Sequence, residues 1–366
     1  MQMSRLNKIL DNLQEKESLG AIRPLAGAVN SFLFGSGKVT SSAPHIVDSM
    51  DTRRYMTMIF LALVPLALAA IYFYGWRALV MILVSYIFGG LTEVLFAVFR
   101  NKKFQAESFL VTGLLFPLLL PPTLPLWIVA VGSVFGVFFG KEIFGGTGRN
   151  IFHPAIVGRV FITISFPSFM TNIWQQPLLG GLGGFLSYQA DVITSATPLI
   201  SFRAGEAIDY SYYDLLFGGA SGSMGETFRI GIILAGIFLI ILKISNWRIP
   251  AAYLGSVVLL SGIGHYYLPD QVAPPLFQLL TGGLLFAAFF IATDSVTSPF
   301  TRPGKWVFGV LLGLLTVLFR SFSGSVEGVM YSILLMNALT PLIDTVALKV
   351  KRQPERTQPT GKEKVA

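Results

Sequence analysis

The chain has 366 residues, 53% of them hydrophobic and only 13% charged, with a formal net charge of +8. A soluble domain carries about twice that share of charge, so this is an integral membrane protein, and its basic excess orients helices rather than binding nucleic acid. The absence of cysteine excludes disulfides, thiolate metal sites and iron–sulfur clusters held by this chain, and three scattered histidines (His45, His153, His265) make a poor haem or zinc centre, so any redox chemistry needs an organic cofactor.

Residues 1–54 are polar and basic and lack an early apolar core, so no cleavable signal peptide is expected. Within them, residues 7–18 have the pattern of a short amphipathic helix. Ten apolar spans follow, at about 56–75, 78–99, 108–121, 124–140, 154–170, 228–244, 249–267, 276–293, 306–319 and 327–346. Several fall short of the ~20 residues of a straight membrane-crossing helix. The shortest meets its successor through Pro121-Pro122-Thr123-Leu124-Pro125, a corner that lacks backbone donors. Residues 349–366 are Lys-, Pro- and Thr-rich and are expected to be disordered.

Charge sets the orientation. With the N-terminus inside, segments 1–55, 100–107, 141–153, 244–248, 294–305 and the C-terminal tail hold 22 of the 27 Lys and Arg residues, counting Lys243. The opposite side holds Arg77, Arg203, Arg229 and Arg320, and Arg159 lies within the fifth span. The bias places both termini in the cytoplasm and segment 171–227 outside it. Trp76, Trp127, Trp247 and Trp306 fall at span ends, as interfacial anchors do.

The organisation is therefore an all-α polytopic membrane protein: a cytoplasmic segment 1–55, a five-helix half 56–170, an outer segment 171–227, a second half 228–346 and a tail 347–366. Odd span counts give the halves opposite topology, the pattern of inverted repeats with short or broken helices. Leu110-Val111-Thr112-Gly113-Leu114-Leu115-Phe116 in the third span faintly echoes Leu280-Thr281-Gly282-Gly283-Leu284-Leu285-Phe286 in the eighth.

Several residues invite chemistry, each with a plainer reading beside it. Gly89-Gly90 in the second span either lets helices pack closely or exposes backbone to a flat ligand such as a quinone ring. Glu93, about two turns from Arg100, is an acid deep enough to suggest cation handling or an ion pair. Gly145-Gly146-Thr147-Gly148-Arg149-Asn150 either offers backbone amides to a phosphate or close approach to a flat ring, or is simply a tight loop; it matches no phosphate-binding fingerprint, which favours the structural role. Arg159 needs a carboxylate or anionic partner. His153 and His265 fit local hydrogen bonds better than metal. Asp294, in the oxygen-rich run Ala292-Thr293-Asp294-Ser295-Val296-Thr297, and Asp344 either ligate a hard cation such as Na+ or terminate helices with polar groups.

The outer segment carries Asp191-Val192-Ile193-Thr194-Ser195-Ala196-Thr197-Pro198-Leu199. By residue type this is a Ser/Thr-rich turn, or a cap for a helix starting near Pro198. It also resembles the flavinylation motif, in which a dedicated transferase esterifies a threonine hydroxyl with the phosphate of FMN. That resemblance implies Thr197 as acceptor, with Ser195 and Ala196 leaving room and Asp191 as part of the recognised motif.

With this topology, the chain resembles the NqrB/RnfD family over about residues 40–350. The carrying motifs are His45-Ile46-Val47-Asp48-Ser49, Leu120-Pro121-Pro122-Thr123-Leu124-Pro125-Leu126-Trp127, Lys141-Glu142-Ile143-Phe144-Gly145-Gly146-Thr147-Gly148-Arg149-Asn150, the Thr197 motif, and Phe289-Phe290-Ile291-Ala292-Thr293-Asp294. The resemblance implies a ten-helix membrane subunit of an approximately six-subunit Nqr or Rnf complex, with NADH-side donors, covalent FMN on Thr197 and a non-covalent riboflavin with no residues assigned. It implies redox-driven export of Na+ or H+, a quinone site at Gly89-Gly90 in the Nqr branch, and cation transfer at Glu93 and Asp344. The N-terminal extension, the Gly-Gly pair and the Gly-Gly-Thr-Gly-Arg-Asn run lean to the Nqr form. The Gly75-Trp76-Arg77 linker departs from that form, and 320–344 looks more like RnfD. A transporter or channel without redox cofactor shares the outline, but has no need of a flavin acceptor.

Overall fold

The computed structural model describes residues 52–100, 106–171, 174–188, 196–205, 211–323 and 328–352. The expected helix at 7–18, the His45 motif, Asp191, Thr194 and Ser195 lie outside these residues. The described chain is built of helices. They are α1 (Thr52–Tyr74), α2 (Trp76–Phe99), α3 (Ala106–Leu118), α4 (Leu126–Val137), α5 (Pro154–Ser165), α6 (Pro167–Thr171), α7 (Pro198–Arg203), α8 (Tyr212–Phe217), α9 (Arg229–Ile241), α10 (Arg248–Tyr267), α11 (Pro275–Leu280), α12 (Leu284–Phe286), α13 (Arg302–Phe322) and α14 (Gly328–Arg352). Five of them, α1, α2, α10, α13 and α14, are long and apolar enough to cross a membrane.

The other apolar spans are shorter or interrupted, and sequence explains where. Pro117 lies in the last turn of α3, and the chain turns through the proline corner into α4. Phe166 separates α5 from α6, with Pro167 opening the latter. The eighth apolar span is not one helix: α11 stops at Leu280, and Gly282 and Gly283 take φ of +65° and +66° before α12 begins. α4 and α12 each run into a π-turn, Phe138–Glu142 and Ala287–Ile291. Residues 349–352, expected to be disordered, continue α14 to Arg352.

In the first set of helices, α2 packs on α3 and α4, α4 on α5, and α1 on α3. In the second, α10 packs on α11 and α13, α13 on α14, and α9 on α12. The sets meet through α1 with α9 and α5 with α14. Small residues permit close approach. A Cβ on Gly158 would lie 2.6 Å from the Gly132 carbonyl, and one on Gly309 the same distance from Ala252 Cβ. Without water to drive association, such contact is the main attraction between membrane helices.

Residues 185–188 are pinned to the α1–α2 corner. Trp76 N donates to Ser187 O (3.0 Å), Arg77 N to Tyr188 O (2.7 Å) and Trp76 Nε1 to Phe185 O (2.8 Å). Gly75, at φ +84°, is required there, because a Cβ would sit 2.7 Å from Ser187 O. Trp76, Trp127, Trp247 and Trp306 are all exposed at helix ends, as expected of anchors.

Candidate functional site

Two groups of buried polar residues bear on the expected sites, one at each end of the bundle. One end joins the last turns of α2 to the π-turn after α4. Glu93 and Lys141, each nearly fully buried, form an ion pair at 2.7 Å, and Lys141 Nζ also donates to Ser108 Oγ at 3.1 Å. About two turns along α2, Arg100 pairs with Glu142 at 2.8 Å and reaches the Glu142 carbonyl. The depth of Glu93 thus coincides with ion pairing. A buried acid with its counter-ion in place can reside in a membrane helix.

Gly89 and Gly90 lie on the same helix, both buried. A Cβ at Gly89 would fall 2.9 Å from Ser133 Oγ, and one at Gly90 would fall 2.7 Å from the Phe109 ring. Side chains of this chain therefore lie close against both. The glycine-rich loop turns through positive φ at Gly145, Gly146 and Gly148, consistent with a tight loop.

Asp294 is half-buried after the π-turn of α12, where its Oδ2 accepts from Thr297 N (3.2 Å) and Thr297 Oγ1 (3.0 Å). It also lines a cavity with Lys141, Thr147, Asn150 and His153. Asp344 is buried on α14 and accepts from Phe300 N, Thr301 N and Thr301 Oγ1 at 3.0, 3.1 and 2.5 Å. It anchors the N-cap of α13, since Thr301 Oγ1 in turn accepts from Gly304 N. His265 Nδ1 bonds the Val272 carbonyl at 2.7 Å, as expected. His153 differs: its Nδ1 is buried without a hydrogen-bond partner among the described residues. Arg159 is buried on α5.

The opposite end holds Thr197. It is the N-cap residue of α7, with Pro198 at the first helical position, as the capping reading foresaw. Its side chain makes no cap hydrogen bond, however, so the hydroxyl is not consumed by that role. Thr197 is buried rather than displayed on a loose loop. The preceding Ala196 carbonyl accepts from Ser221 Oγ at 3.0 Å. Ser221 belongs to a loop whose Met224 and Gly225 amides cap the end of α3, donating to Leu120 O (3.1 Å) and Leu118 O (2.7 Å). Phe202 on α7 packs its ring on Phe277 of α11, and Arg203 donates to Ser323 O beyond α13. The Thr197 turn is thus seated on the bundle where the eighth span breaks.

A further cluster escaped sequence reasoning. Arg320 of α13 donates to Gln278 O (2.8 Å), Gln278 Oε1 (3.0 Å), Thr281 O (2.7 Å) and Gly282 O (2.8 Å). It satisfies the carbonyl end of the broken span. The one signal in the sequence was a charge on the side disfavoured by the topology.

A family model described as the NQR2, RnfD, RnfE family matches residues 39–352. The chain belongs to this family. Among its relatives, the B subunit of the Na(+)-translocating NADH-quinone reductase of Pseudomonas paraeruginosa is 33% identical, covering 91% of this chain and 94% of its own length. The D subunit of the ion-translocating oxidoreductase complex of Escherichia fergusonii is also 33% identical, over 83% of this chain and 95% of its own length. Its counterpart in Escherichia coli O127:H6 is 35% identical over the same shares. Membership in the NQR2, RnfD, RnfE family rests on nearly the whole described bundle, including both polar ends.

Proposed function

We propose that this chain is the B-type membrane component of a Na+-translocating NADH:quinone reductase, a redox-driven pump of several subunits. The observation that carries the reading is near-full-length similarity to membrane subunits of two ion-translocating oxidoreductases. The broader coverage by the reductase relative favours that branch, with the D-type component of an Rnf complex as the alternative. Five membrane-length helices make it a multi-pass membrane protein. The repeated packing scheme of the two helix sets supports ten spans in two inverted halves. The Lys/Arg bias supports both termini in the cytoplasm of a bacterial inner membrane.

In this reading Thr197 carries FMN through a phosphoester, placed by a flavin transferase on the outer side. Its hydroxyl, which makes no cap hydrogen bond, and the anchoring of its turn support the assignment. A covalent flavin supplies one-electron and two-electron chemistry. The chain's own part is to hold the acceptor against a fixed scaffold, which limits where the flavin can reach. Glu93 and Asp294 serve the inner part of the cation route, and Asp344 holds α13. A quinone at Gly89-Gly90 requires Ser133 and Phe109 to yield, and riboflavin belongs to the complex with no residues assigned.

Thr197→Ala tests the core of the proposal. The protein is expected to insert and assemble at parental yield and to lose its fluorescent band in a denaturing gel after expression with the flavin transferase. A band of parental intensity would move the acceptor elsewhere, with Thr194 and Ser195 the nearest hydroxyls.

A further inference from the structure

Lys141 is 2% exposed, yet among the described residues its ammonium is held by one charge, Glu93, and one hydroxyl, Ser108. It reaches them because α4 ends in a π-turn, a geometry frequent at functional sites. The turn sends adjacent residues to separate partners on α2, Lys141 to Glu93 and Glu142 to Arg100. The Glu93–Lys141 pair also stands between two cavities. Glu93 lines one with Ser85, Thr112 and Ser133. Lys141 and Ser108 line the other with Asn150, His153 and Asp294. Thr112 and Pro154 border both.

We propose that Lys141 is a tethered cation: it neutralises Glu93 while no mobile cation is bound, and Na+ must displace it to occupy that carboxylate. A buried carboxylate cannot stay ionised in hydrocarbon surroundings without a counter-ion, so something must hold it between cation visits. An ammonium on a flexible aliphatic stem can leave and return, as a guanidinium locked in a planar fork cannot. Once displaced, the ammonium faces a cavity that already carries the Asp294 carboxylate and the Asn150 side chain. The exchange therefore never strands a bare charge. Lys141 acts through Glu93 and is a positioning residue, and the proposal rests on the reading of Glu93 as part of the cation route.

The test is steady-state turnover of the purified complex with NaCl titrated against choline chloride at constant ionic strength. Removing the competitor should tighten the apparent affinity for Na+. Lys141→Gln is expected to lower the half-saturating NaCl by about threefold to tenfold, the range for an acid occupied by its internal partner most of the time. Ser108→Ala, which loosens the ammonium without leaving a charge unpaired, should shift it the same way by less, and it serves if Lys141→Gln fails to assemble. Glu93→Gln should raise it. If Glu93→Gln raises the half-saturating NaCl while the Lys141 and Ser108 variants match or exceed the parent, the tethered cation is wrong and the cation route stands. If Glu93→Gln follows the parental curve, or the parent shows no NaCl response, the route through Glu93 fails and takes this proposal with it.

Discussion

The Glu93 end and the Thr197 end of the bundle, inner and outer in the proposed orientation, solve the same electrostatic problem in different ways. At the inner end, buried charges meet opposite side-chain charges: Glu93 with Lys141, and Arg100 with Glu142. At the outer end, cations meet the backbone, although the Glu226 carboxylate also acts on Arg229. Arg77 donates to the carbonyls of Pro122, Thr123 and Leu124 at the proline corner, Arg229 to Leu215, Arg203 to Ser323, and Arg320 to Gln278, Thr281 and Gly282. These are helix ends, corners and a helix break, where carbonyls lack intrahelical donors. The four arginines that run against the charge bias are therefore the hydrogen-bond donors that the irregular outer backbone requires. A carbonyl cannot move away from its chain, so the outer arrangement suits a scaffold for a fixed cofactor. Side-chain pairs can exchange partners, so the inner arrangement suits traffic of ions.

The largest expected effect breaks the inner arrangement. Glu93→Ala should destabilise the protein by about 3–5 kcal/mol, because it leaves the Lys141 ammonium buried without its charge partner. Lys141→Ala should cost a similar amount for the mirror reason. The double variant should recover most of the loss, since no charge is then stranded. Thermal unfolding midpoints in detergent across the four-protein cycle give the coupling. Additive losses would mean that the pair is not coupled in the folded protein.

Arg320→Lys probes the outer arrangement and should cost less, about 1–3 kcal/mol. It keeps the charge but loses the planar fork that reaches the carbonyls of Gln278 and Gly282 together. If charge alone mattered there, as it does at Lys141, the lysine variant would melt with the parent. Turnover at saturating NaCl per assembled complex should fall, and the NaCl response should keep its midpoint, because the proposed cation route runs through the other end.

Much of the fold was legible in the sequence because hydrocarbon imposes simple rules. Apolar runs marked the helices, and Trp at the span ends marked interfaces. What was not legible follows from contacts distant in the chain. Leu110-Val111-Thr112-Gly113-Leu114 and Leu280-Thr281-Gly282-Gly283-Leu284 read almost alike, yet the first is continuous helix and the second is broken. At Gly113 the helix is packed against the ring of Tyr86, whereas Gly282 and Gly283 take left-handed backbone with Arg320 and Glu226 close by. The second glycine permits the break and a distant arginine satisfies it. The site was legible in part for a similar reason. Glu93 stood out as a deep acid, but its partner Lys141, 48 positions away, sat in a loop assigned to the cytoplasm. Thr197 stood out by motif, while its anchoring through Ser221 depends on a loop that local pattern does not reveal.

Asp344 gives the smallest and most discriminating effect. It lies at the inner end but is satisfied largely in the outer manner, through the backbone: Phe300 N donates to one oxygen, and Thr301 N, joined by the Thr301 hydroxyl, donates to the other. Asn at this position keeps one acceptor and turns an amide donor toward one of those N–H groups. Phe300 is exposed, so its N–H can turn to water and much of the loss is recovered. Asp344→Asn should therefore cost about 1 kcal/mol, seen as a small drop in thermal midpoint. Because Thr301 caps α13, the loss should appear first as faster backbone hydrogen exchange in the opening turn of that helix. The half-saturating NaCl should stay at the parental value. A raised value with an unchanged melting midpoint would mean that Asp344 meets the cation directly. The division would then run by position in the membrane rather than by the type of partner each charge has found.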